Sequence, residues 1–80
     1  MAMGKMGREL LLRGLEQGQV FTRWRNAGME EKAKILKVSA DPSGIPHVHF
    51  ELDIFHGRFK MQDRRTLSLE VFSSLYKKAA

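Results

Sequence analysis

Two histidines one residue apart, His47 and His49, have the clearest chemical capacity in this chain. They lie in the run PHVHFELDIF, from Pro46 to Phe55, and Glu51 and Asp53 continue the same alternate spacing. Alternate side chains of a strand share a face, so both imidazoles would project together about 7 Å apart. That separation suits one divalent metal ion, with a carboxylate or His56 nearby as a further ligand. An exposed polar strand face, its acids offset by neighbouring bases, accounts for the same residues without a metal. The expectation is therefore a chain without cofactor, with His47 and His49 as the metal ligands if there is a site.

Nucleophilic catalysis needs a Ser or Cys beside a base and an orienting group. Cysteine is absent, and no serine sits in a G-x-S-x-G elbow. There is no glycine-rich phosphate loop. A chain of 80 residues also has little volume for a desolvated pocket. These features argue against an enzyme.

Binding chemistry is better represented. The net charge is +5, and a basic excess favours nucleic acid or acidic partners. On a small β domain, exposed aromatics can stack on bases while cations follow the phosphates. The candidate set is Phe21, Arg23 and Arg25 on one strand, Phe55, Arg58 and Lys60 around a hairpin, and Arg64 and Arg65 after it. The competing surface is apolar. Leu10, Leu11, Leu12 and Leu15 have no evident core to join, so Leu11, Leu12 and Leu15 form a candidate stripe for self-association or for another protein.

The elements that position these residues follow from pattern. Residues 1–7 are expected to be an unstructured tail and residues 8–80 one domain. Arg8 to Glu16 has leucines at helical spacing, and Gly14 weakens that helix. Gln19 to Arg25 alternates as a strand, with Val20, Thr22 and Trp24 expected inward. A turn at Asn26-Ala27-Gly28 precedes a strand from Glu31 to Ala40, with Leu36 and Val38 inward. The loop Asp41 to Ile45 carries Pro and Gly at turn positions. Pro46 can only open the next strand, since it lacks an N–H.

In that strand Val48, Phe50, Leu52 and Ile54 share the buried side. Pairing Val38 with Val48 sets Lys37 opposite His49, Leu36 opposite Phe50 and Ile35 opposite Glu51. A two-residue turn at His56-Gly57 sets Ile54 opposite Phe59, Asp53 opposite Lys60 and Leu52 opposite Met61. Gln62 to Arg65 reads as a connection and Thr66 to Leu69 as a short closing strand. Ser68 can cap a terminal helix from Leu69 to Lys77, with Phe72, Leu75 and Tyr76 over the core.

From Gln17 to Lys78 this element order resembles an SH3-like small β-barrel: four or five antiparallel strands, with a short helix at each end. The GIPHVHFEL strand and the RTLSLEVFSSLY tail are similar to those of small bacterial proteins without an established activity, so that resemblance implies no function. The spacing of Gly44, His47, His49, Asp53 and Gly57 faintly resembles the first motif of cupins, but the second motif and the length for a double sheet are lacking. The sequence has no apolar run of signal-peptide or membrane-spanning length. A small, non-enzymatic, cytoplasmic binding domain is the expectation, with a protein partner first and nucleic acid as the alternative.

Overall fold

The computed structural model describes residues 15–78. Strand β1 spans Val20–Arg25, and a 3-10 turn at Asn26–Gly28 leads into β2, Met29–Ala40. Strands β3, Pro46–His56, and β4, Phe59–Ser68, follow, then helix α1, Leu69–Leu75, and a two-residue strand β5, Lys77–Lys78. All pairings are antiparallel, in the spatial order β4-β3-β2-β1-β5. Among the described residues the sheet is open, with β4 and β5 at its edges, so the expected closure into a barrel is not shown. The helix expected over residues 8–16 lies largely outside the described residues, and Leu15 and Glu16 are not helical.

One face of the sheet carries the core. Val48, Phe50 and Leu52 from β3 meet Ala33 and Ile35 from β2 and Phe21 from β1. Leu69, Phe72 and Tyr76 close over them from α1 and the residue after it. The Phe72 ring stands edge-on to Phe21 and Phe50, with centroids 5.2 and 5.1 Å away, and stacks on Tyr76 at 5.0 Å. Ser68 caps the helix as expected, its Oγ accepting from the Val71 amide at 3.2 Å.

Register departs from expectation at a bulge. Val38 pairs with Val48 and Lys37 with His49, but Ile35, not Leu36, pairs with Phe50. Leu36 is the extra residue, and it lets Ala33, Ile35 and Val38 all face the core despite their mixed parity. The inversion carries into β1, where Phe21 pairs with Ala33 and Arg23 with Glu31. Phe21 is therefore buried, while Trp24, expected in the core, is 69% exposed on the opposite face.

The loop of the third hairpin, between β3 and β4, is Gly57-Arg58, not His56-Gly57. Gly57 has φ +60°, and the favoured two-residue turns need positive φ at their first central position. Each pair slides by two residues, so Ile54 faces Met61 and His56 faces Phe59. The faces themselves stay as expected. Beyond the turn β4 is one continuous strand, and Gln62 to Arg65 is not a connection.

Candidate functional site

Strand β4 combines the features of a surface that takes a partner. It is ten residues long and forms one edge of the sheet. Such an edge presents unpaired amides and carbonyls to any extended chain that can reach them. On its helix-bearing face, next to Ile54, Phe59 is 76% and Met61 64% exposed.

Geometry explains the exposure. A seven-residue helix is about 10 Å long, whereas an eleven-residue strand runs about 37 Å. Helix α1 starts from the Ser68 end of β4 and covers only that end of the sheet. The cross-sheet rows Arg23-Glu31-Ile54-Met61 and Arg25-Met29-His56-Phe59 lie past it on the same face.

Glu31 marks the boundary. Its side chain is buried, and its carboxylate accepts from the Tyr76 hydroxyl at 2.7 Å and from Arg25 Nη1 at 3.2 Å. Burial, and then the hydrogen bond to this carboxylate, push the Tyr76 hydroxyl up to about 12. A carboxylate buried without such donors would cost several kcal/mol, on the order of 3–5. The need to place Arg25 beside Glu31 is consistent with the parity of β1 that turns Trp24 outward.

Further along β4, Arg65 Nε donates to Asp63 at 3.1 Å, and the Arg64 amide donates to the same carboxylate. These two bonds hold the Asp63 carboxyl below the usual carboxylate range. Both side chains of the Asp63–Arg65 pair are about half exposed, so the pair contributes little to stability.

The eight residues read as a nucleic-acid surface are not gathered together. Phe21, Arg23, Arg25 and Arg65 fall on the helix-bearing face, with Phe21 in the core. Phe55, Lys60 and Arg64 fall on the other face, and Arg58 is in the hairpin turn. That other face does hold an aromatic and basic group that strand alternation alone does not reveal. Lys32 and Lys60 lie over the Phe55 ring, 5.5 and 5.6 Å from its centroid, and Trp24 stands in the same cross-sheet row as Phe55. Acidic Glu30, Glu51 and Asp53 share this face.

His47 and His49 also share it, in adjacent rows. Both ring nitrogens of His49 are engaged, Nε2 with Ser39 Oγ at 2.8 Å and Nδ1 with Thr66 Oγ1 at 3.0 Å. His47 Nδ1 bonds the Ile45 carbonyl at 2.9 Å. The His49 contacts lace β2, β3 and β4 together. A serine–imidazole contact is one part of a nucleophilic triad, but here Thr66 holds the second nitrogen, where an orienting carboxylate would be needed. No group of three or more metal-ligating side chains converges among the described residues.

Of the leucine stripe, Leu11 and Leu12 lie outside the described residues. Leu15 packs against the core and, with Phe21, Ile45, Pro46 and Leu69, lines an open groove of about 990 Å³. Among the described residues no helix is long and apolar enough to cross a membrane.

No protein-family model matches this chain, and neither a curated protein nor a solved structure shows significant similarity to it.

Proposed function

We propose that this chain is a small non-enzymatic protein-binding domain that takes a partner along strand β4. The observation that carries the reading is the exposure of Phe59 and Met61, 76% and 64%, on a ten-residue edge strand. Strand addition supplies main-chain hydrogen bonds, and the uncovered apolar row supplies contacts for alternate side chains of the incoming strand. Neither requires a pocket or a motif. The test is a photoreactive benzoylphenylalanine placed at Phe59 or Met61 in cells. A discrete covalent adduct with another polypeptide is expected from both positions and none from Trp24, on the opposite face. Equal yields from all three positions, or none from Phe59 and Met61, would contradict the reading.

A second reading is favoured by the opposite face, where Phe55 lies beneath Lys32 and Lys60 and Trp24 stands exposed in the same row. Weak, sequence-independent binding of a single strand would stack bases on the two rings and set phosphates against Lys32, Lys60 and Arg64. Titration with a random single-stranded oligonucleotide should then shift the amides of Trp24, Phe55 and Lys60 at low salt and much less at physiological salt. No shift at low salt removes this reading.

A further inference from the structure

We infer that the strand received by β4 is the β4 of a second copy of this chain, paired antiparallel about a two-fold axis at Arg64. This rests on the edge reading above and names its partner.

The order of side chains along β4 carries the inference. When Arg64 meets its own copy, Asp63 stands opposite the second copy's Arg65, and Arg65 opposite the second copy's Asp63. Met61 stands opposite the second copy's Leu67. Phe59 arrives at the first turn of the second copy's α1, where Val71 is 44% exposed. Asp63, Arg65, Met61 and Leu67 all belong to the helix-bearing face, so the pairing keeps like faces together. The uncovered end of each sheet is thereby set beside the helix-bearing end of the other, as an isologous contact requires.

Neighbouring registers lack this match. Centred on Asp63, the aspartate meets itself and Met61 meets Arg65. Centred on Gln62, Lys60 meets Arg64 and Phe59 meets Arg65. Centred on Arg65, the arginine meets itself and Asp63 meets Leu67. In the Arg64 register the one like-charge contact is Arg64 with its copy, and each Arg64 has Glu51 directly across on β3. The Asp63–Arg65 bond and the Arg64 amide's bond to Asp63 are both exposed within one chain, so exchanging them for partners across the axis costs little.

Sedimentation equilibrium of the full chain tests this, with Asp63→Arg and Arg65→Asp measured separately and mixed. Each variant alone sets like charges at both cross-copy pairs, and dimerisation should weaken roughly tenfold or more. An equimolar mixture restores opposite charges at both pairs, so a heterodimer should form with affinity close to that of the unaltered dimer. Both positions are exposed, and amide spectra establish that each variant is folded. As a second variant, Arg64→Cys should oxidise to a disulfide-linked dimer, because residues at the axis lie within disulfide reach. An unaltered chain that stays monomeric at every concentration, or a mixture no tighter than its components, overturns the inference. A monomeric chain whose Phe59 and Met61 still crosslink to a different protein overturns self-pairing and leaves the edge reading standing. Loss of both removes both.

Discussion

Replacing Tyr76 with Phe removes one oxygen atom and isolates the bond that ties the end of the chain to the sheet. The Tyr76 hydroxyl donates at 2.7 Å to Glu31, whose side chain is only 1% exposed. A hydrogen bond to a charged group contributes roughly 1.5–3 kcal/mol. After the substitution the carboxylate keeps Arg25, but that side chain is 49% exposed and cannot replace the buried donor. The expected loss is therefore about 2 kcal/mol, which for a domain of this size lowers the melting temperature by roughly 10 °C. Urea unfolding at a fixed protein concentration measures it, since self-association would otherwise enter the stability. In a double-mutant cycle with Glu31→Gln, the two positions should be coupled, because they share the bond. A Tyr76→Phe protein within about 0.5 kcal/mol of the unaltered chain would refute the claim that this hydroxyl satisfies a buried carboxylate.

The same hydroxyl sets an alkaline limit. Its folded value of about 12 lies above its ordinary 10, so the neutral form favours the fold. That contribution is complete below pH 10 and disappears as the pH rises through 12; Tyr76→Phe should lack this part of the decline, which comparing the two unfolding profiles reveals. Trp24→Ala should change stability by no more than about 0.5 kcal/mol, and the sole tryptophan should already fluoresce like indole in water in the unaltered protein. Ser68→Ala removes the cap of α1 and should cost about 0.5–2 kcal/mol in thermal or urea unfolding.

The parts of the fold legible in the sequence are those where one physical signal dominates. Strand β3 alternates without interruption, so its buried side follows directly from Val48, Phe50 and Leu52. Ser68 precedes an apolar run at helical spacing, and it does cap α1. The pairings of Val38 with Val48 and of Lys37 with His49 hold, and the register fails beyond them because a single bulged residue, Leu36, reverses the parity of the residues before it. Periodicity carries no mark of that insertion. Glu31 is hidden for the same reason, since it shares the true inward parity with Ala33 and Ile35. Trp24 illustrates the limit of hydrophobicity as a guide. The strand puts Arg23 and Arg25 on the inner face, where Arg25 meets the buried Glu31, and the tryptophan takes the other side. Gln62 to Arg65 reads as a loop because all four residues are polar and lie exposed on the edge strand, whereas the exposure of Phe59 and Met61 follows from how short the helix is. The candidate edge depends on that same shortness, and nothing in the local sequence of β4 reports it.

Residue-resolved amide hydrogen exchange along β4, in dilute and in concentrated protein, tests the edge most directly. Among the described residues, the amides of Phe59 to Ser68 that point away from β3 meet no partner strand in a single copy, the Arg64 amide bonding the exposed Asp63 side chain instead, and they should exchange near open rates when dilute. The account expects these alternate amides to gain protection as concentration rises, with the amides bonded to β3 little changed. Exchange of the outward amides that is the same at both concentrations, or protection that rises at β5 or on the Trp24 face instead, would contradict it.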